Sequence, residues 1–247
     1  MRLLIVNGNS TEAVTQQVVE TARQAASAQT HIEGMAVRFG ANFVRSRAEE
    51  VIAAHAVLDV LAEAQGSYDA AILAISLDSG LFAARQLFPV PILGMTEASF
   101  AVAGLISERF GLITLGSETN PLYRDLLRRY GAETRLAGWE VLELRGTDFL
   151  GSASSKDSKE AIIGKVRKLA TETDSGVVVL CCAVHAGIAS RIREQVPLPV
   201  IDGIAAAVMT AEMLVRADLA PKYSISLPGL EVVGVSSALQ EVLHAQR

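Results

Sequence analysis

The chain has 247 residues, 50% of them hydrophobic and 20% charged, enough for one large core or two modest ones. That composition excludes a disordered or collagen-like chain. With 22 Lys and Arg against 27 Asp and Glu the net charge is -5, so no basic surplus exists for phosphate contacts and nucleic acid is not an expected partner. The longest apolar run, Val177 to Val184, stops at His185, well short of the roughly 20 residues of a membrane span. The opening Met1-Arg2-Leu3-Leu4-Ile5-Val6 meets Asn7 and Gly8 too early for a signal-peptide core, so a cytoplasmic protein away from membranes is expected. Cys181 and Cys182 are the only cysteines; being adjacent, they read as free thiols of a reducing compartment.

In chain order, short β-branched runs at 2–7, 33–38, 69–75, 91–94, 110–115, 139–144, 176–182 and 199–202 read as strands. Ala-rich stretches lie between them. Asn9-Ser10-Thr11 supplies a cap for a helix to about Ala28, and Ala48 to Ala64 forms another. Thr119-Asn120-Pro121 opens a helix to Arg129 that Gly131 stops, and Ser158 to Thr173 forms a further one. The segment Gly151 to Ser158 reads as a polar surface loop. This alternation predicts an α/β fold built on parallel sheet.

The chain also repeats itself. Residues 68–94 and 175–203 each run from a buried strand through a short loop to a small residue, Gly and an aliphatic (Ser79-Gly80-Leu81; Ala186-Gly187-Ile188). An Arg-bearing helix follows (Arg85; Arg191), then Pro-x-Pro before the next strand (Pro89 to Pro91; Pro197 to Pro199). A duplication predicts two similar lobes facing one another, with chemistry in the loops beyond the carboxyl ends of the strands. Superposed on Gly80 and Gly187, the copies place Cys182 opposite Ile75, Cys181 opposite Ala74, Ala183 opposite Ser76 and His185 opposite Asp78.

These residues carry a family resemblance. LLIVNGNST at the start, the stretch Arg38 to His55, LDSGLFAAR (Leu77 to Arg85), VPILGMTEAS (Val90 to Ser99), ERFGLITL (Glu108 to Leu115) and PVIDGIAAAV (Pro199 to Val208) are similar to blocks of the hydantoin racemase group in the aspartate/glutamate racemase superfamily. Gly8 stands where Pro is usual. The resemblance runs from Met1 to about Met213 and implies two pseudo-symmetric Rossmann-like lobes with the active site in the cleft between them. It implies a first lobe of residues 1–97 plus 207–247, a second of 98–206, and no cofactor. It also implies two cysteines, one per lobe, flanking the carbon whose proton is exchanged. Leu180-Cys181-Cys182-Ala183 matches the second-lobe block and carries the catalytic role onto Cys182, with Cys181 where Gly is usual. The first-lobe cysteine falls at Ile75 or, with a one-residue slip, Ser76, and this chain has none there. One cysteine in the second lobe also resembles arylmalonate decarboxylase.

Removing a proton next to a carbonyl needs a tuned base and donors for the developing oxyanion. The candidate catalytic residues are Cys182, Ser76, Ser79 and Cys181; Asn9, Ser10, Asp78, Gly80, Thr114, Ala183 and His185 are candidates for binding the substrate. Glu97 is read either as orienting a loop or as a plain helix-start carboxylate. A Ser79-His185-Asp78 triad lacks the Gly-x-Ser-x-Gly elbow, and no HExxH, CxxC, Walker or GxGxxG pattern occurs. Lys156, Lys159, Lys165 and Lys168 share one solvated stretch, which leaves only Lys222 for a Schiff base. The expected function is cofactor-independent, metal-free racemisation of a hydantoin or related small ureide or amino-acid derivative, in a homo-oligomer. The alternative is one-cysteine decarboxylation or isomerisation of a small carboxylate.

Overall fold

Two four-stranded sheets with the same strand order organise the molecule, in a computed structural model that describes residues 1–143, 156–221 and 232–245. The first sheet is built from β1 (Arg2–Asn7), β2 (His31–Ala36), β3 (Ala70–Leu73) and β4 (Ile92–Gly94), ordered β2-β1-β3-β4. The second uses β5 (Phe110–Leu115), β6 (Leu136–Leu142), β7 (Val177–Cys181) and β8 (Val200–Asp202), ordered β6-β5-β7-β8. All six pairings are parallel. Parallel strands need crossovers, and α1 (Glu12–Ala25), α2 (Arg47–Glu63) and α3 (Leu81–Leu87) supply them in the first sheet. In the second, α5 (Asn120–Arg129), α6 (Lys156–Glu172) and α7 (Ile188–Ile192) do the same. The central strands β1, β3, β5 and β7 are apolar almost throughout because helices cover both their faces.

Two further helices join the halves. α4 (Met95–Ile106) follows β4 yet packs against β7 of the other sheet, while α8 (Gly203–Arg216) follows β8 and packs back against β3. The two helices also pack on each other, so the halves share one continuous core. α9 (Ser237–Ala245) lies on α2.

The eight expected strands are present, with shifted ends. β2 begins two residues earlier than expected, because the His31 amide donates to the Met1 carbonyl and starts the ladder there. β6 begins three residues earlier, pairing Leu136 with Phe110 before a bulge. β7 ends at Cys181, so Cys182 stands one residue past the strand. The α2 terminus carries a capping box, Ser46 accepting from the Glu49 amide while Glu49 accepts from the Ser46 amide. Thr119 makes no such cap; its hydroxyl donates back to the Leu115 and Gly116 carbonyls and closes a 3-10 turn that runs into α5. The expected polar loop at 151–158 lies outside the described residues up to 155, and its last three positions open α6. Lys222 also lies outside the described residues. No described helix is long and apolar enough to cross a membrane.

Candidate active site

The repeat is visible in backbone detail. Gly80 and Gly187 both precede a short helix with left-handed torsions, φ +86° and +81°, which a side chain would strain. Five residues upstream of each, the loops close with the same turn: the Asp78 amide donates to the Ile75 carbonyl, and the His185 amide to the Cys182 carbonyl. Ile75 and Cys182 are therefore structural equivalents, and Ser76 pairs with Ala183.

These strand ends meet at a cavity between the sheets. Cys182, Cys181, Ser76, Ile75, Ala183 and Asn9 line it, and Tyr123 and Thr119 complete its polar wall. Phe43, Val44, Leu77, Leu115 and Val184 make it apolar elsewhere. Ser76 bridges the two halves: its Oγ accepts from the Ala183 amide at 3.3 Å, and its carbonyl accepts from Thr96 Oγ1 at 2.6 Å. The Tyr123 hydroxyl donates to the Cys181 carbonyl at 3.1 Å and lines the cavity together with Ser76. Burial pushes the Tyr123 hydroxyl well above its ordinary pKa, so it stays a neutral donor. Asn9 Oδ1 accepts from Asn7 Nδ2 and from the Thr11 amide, which turns its NH2 end into the group able to donate to a ligand.

Cys182 sits at the start of the 3-10 turn Ala183–His185. Burial pushes its thiol up to about 12, against the opposing pull of the Val184 and His185 backbone amides. The group is thus a neutral thiol at neutral pH. Cys181 is raised further, burial again dominating, and its Sγ lies 3.6 Å from Thr96 Oγ1.

The other sequence-derived candidates lie outside the cavity wall. Asp78, held at φ +48°, is buried and takes three donors: the Thr96 amide, the Glu97 amide and the Tyr130 hydroxyl. Ser79 and Gly80 follow it into α3, and Ser79 Oγ is buried without a hydrogen-bond partner. Thr114 accepts from Trp139 Nε1 at 2.8 Å on the face of β5 opposite Leu115. His185 is buried behind Cys182, and Ser10 is exposed, donating to Asn42 Oδ1 at 2.7 Å. Ser79 Oγ makes no hydrogen bond, and Asp78 is committed to α4 and Tyr130, so the triad arrangement has no geometric support. Glu97 pairs with Arg85 through two bonds, an ordinary helix-to-helix clamp. Sequence reasoning passed over Tyr123, Thr119, Phe43 and Val44. Phe43 and Val44 come from the β2–α2 connection, and their only signal was lying inside the family-like stretch Arg38 to His55.

A paired-lobe α/β fold with a thiol at the strand ends between the lobes defines a class of isomerase scaffold. The chain belongs to the Asp/Glu/Hydantoin racemase family, whose profile matches residues 3–211. It is 31% identical to the hydantoin racemase of Rhizobium meliloti over 225 residues, 89% of this chain and 91% of that protein. Among solved structures, the allantoin racemase from Klebsiella pneumoniae superposes with TM-score 0.89 at 28% identity, covering 98% of both chains. The allantoin racemase from Pseudomonas fluorescens gives 0.87 at 32% identity, over 95% of this chain and all of that one.

Proposed function

We propose that the protein is a cofactor-independent racemase that moves a proton at a carbon next to a carbonyl in a small hydantoin or related ureide. The observation that carries this is Cys182, a buried thiol that lines the cavity one residue past the end of β7. In the forward step the Cys182 thiol first gives its proton to solvent, and the thiolate so formed takes the proton of the reacting carbon while the C–H electron pair moves onto the carbonyl as an enolate. The Tyr123 hydroxyl, the Ser76 hydroxyl and the Asn9 NH2 line the same cavity and are the donors available to the developing oxyanion. Return of a proton to the carbon closes the cycle. Ser79, Ser10, Asp78, Gly80, Thr114 and His185 act at most indirectly in this scheme.

The relatives that act on hydantoins and allantoin supply the substrate class. Ile75, a hydrocarbon at the position equivalent to Cys182, favours a second reading in which one thiol alone serves a decarboxylase or a one-faced isomerase. Incubating enzyme with each enantiomer of allantoin and of 5-isobutylhydantoin in D2O, after dialysis against EDTA, tests both. Deuterium at the α-carbon supports proton transfer without a metal. CO2 release from a substituted malonate, without exchange in any hydantoin, would replace the first reading with the second.

A further inference from the structure

Ile75 owes its place to Gly8. A Cβ built on Gly8 stands 2.7 Å from Ile75 Cδ1, 2.9 Å from its Cβ and 3.0 Å from its Cγ2, three contacts closer than packed carbons tolerate. The loop after β1 therefore accepts the branched side chain only because position 8 has none. Ile75 is 5% exposed and lines the cavity, where it stands at the point related by the repeat to Cys182. One wall of the cleft carries a thiol; the equivalent point on the other carries a sec-butyl group that can neither give nor take a proton.

From this we infer that the Gly8–Ile75 pair sets the stereochemical course of the enzyme: Ile75 walls off one face of the reacting carbon and Cys182 serves the other. The inference rests on the proton-transfer reading above and adds which residues decide its outcome. On the Cys182 face, the sulfur takes the proton, the C–H pair becomes the enolate, and the sulfur, once its hydrogen has exchanged with solvent, returns a deuteron to the same face. Configuration is retained in that cycle. Inversion needs a donor on the Ile75 side, where Ser76 offers only a hydroxyl whose oxygen already accepts from the Ala183 amide. A hydroxyl is a far poorer acid near neutral pH than a thiol.

The test measures two rates on one sample, α-deuteration by NMR and inversion by polarimetry or chiral chromatography, for each enantiomer of 5-isobutylhydantoin. Native enzyme should deuterate one enantiomer with retention at least about tenfold faster than it inverts it, a difference of about 1.4 kcal/mol in barrier. Ile75→Cys should bring the ratio of inversion to exchange toward one. Because both rates scale with the same folded, active fraction, loss of stability alone leaves that ratio unmoved. Gly8→Ala should lower the melting temperature of the native chain and cost much less alongside Ile75→Cys, which reads the steric pairing without any substrate. Inversion keeping pace with exchange in the native enzyme, or a ratio unmoved by Ile75→Cys, overturns the inference while the proton-transfer reading stands. Absence of exchange in every hydantoin overturns both.

Discussion

Asp78 fills space that Gly94 leaves open: a methyl group on Gly94 would fall inside van der Waals contact with the Asp78 carboxylate. The arrangement lets the loop after β3 clamp the α4 terminus, Asp78 accepting from the Thr96 and Glu97 amides at 3.1 and 2.8 Å. In the other half of the repeat the carboxylate stands at the strand end instead. Asp202, the counterpart of Gly94, caps Ile204 and Ala205 at α8 and reaches back to the Gly187 amide of the loop. Both halves tie the strand-end loop to the following helix through one carboxylate, supplied by the loop in the first half and by the strand end in the second. The tie matters to the cavity because Thr96, held by Asp78, anchors the Ser76 carbonyl and touches Cys181.

Gly94→Ala should therefore be costly, on the order of 2 kcal/mol or more, since it must displace a fully hydrogen-bonded buried carboxylate. Combined with Asp78→Gly, which removes the obstacle at a position already in left-handed torsions, the second substitution should add much less than the sum. Urea unfolding of the four chains measures the coupling. Additive costs would show that Gly94 and Asp78 do not share this space.

Asp78 also marks the pH dependence of stability. Burial raises its carboxyl to about 7, against its three hydrogen-bond donors. An acid whose folded pKa lies above its unfolded value binds more protons in the folded state, so its favourable contribution is complete below about pH 4 and is lost as pH climbs toward 7. Unfolding free energies measured from pH 4 to 8 should contain this decline, and Asp78→Asn should remove it. An unchanged slope in Asp78→Asn would assign the titration to another group.

The two adjacent thiols should behave differently. Both line the cavity, but Cys182 stands just past the strand at the point the repeat relates to Ile75, whereas Cys181 ends β7 and contacts Thr96. Cys182→Ala should lower α-proton exchange by at least about a hundredfold, the scale of a lost acid/base group. Cys181→Ala should stay within a few-fold. The opposite ranking in the same exchange assay would put the chemistry on Cys181.

Much of this architecture was legible before any coordinates. The repeat anticipated two matching sheets because buried parallel strands leave continuous apolar runs, and the shared Gly and Pro-x-Pro punctuate both copies at an almost constant separation. Cavity residues were legible only where they sat on the repeat. Thr114 and Leu115 show the limit: both end the same strand, but side chains alternate, so one residue's shift turns Thr114 toward Trp139 and Leu115 toward the cavity. Tyr123 reads in sequence as an ordinary apolar-face residue of α5, and only the packing of that helix beside β7 brings its hydroxyl to the Cys181 carbonyl and the cavity wall. Asp78 reads as a substrate-binding candidate because it lies in the loop beyond a strand's carboxyl end; its partners are amides 18 and 19 residues away, which no local pattern reveals.

The last expectation concerns the pH at which Cys182 works. Its thiol, pushed up to about 12 by burial, is almost wholly protonated at pH 7, and each unit of pH below that value changes the thiolate population about tenfold. Alkylation by iodoacetamide, which reads the thiolate, should be slow at pH 7 and climb steadily through pH 10, with Cys182→Ala abolishing the fast-rising component. Stability runs the other way. A thiol raised in the folded state holds its proton while the unfolded chain loses one above about pH 8.5, so folding stability declines as pH rises past that point. The exchange rate should accordingly rise with pH until unfolding cuts it off, giving an optimum on the alkaline side whose falling limb coincides with loss of the circular dichroism signal. Rapid, pH-independent labelling at pH 7 would show a thiolate already formed at rest, and would place the burial of Cys182 in a different conformation from the one that reacts.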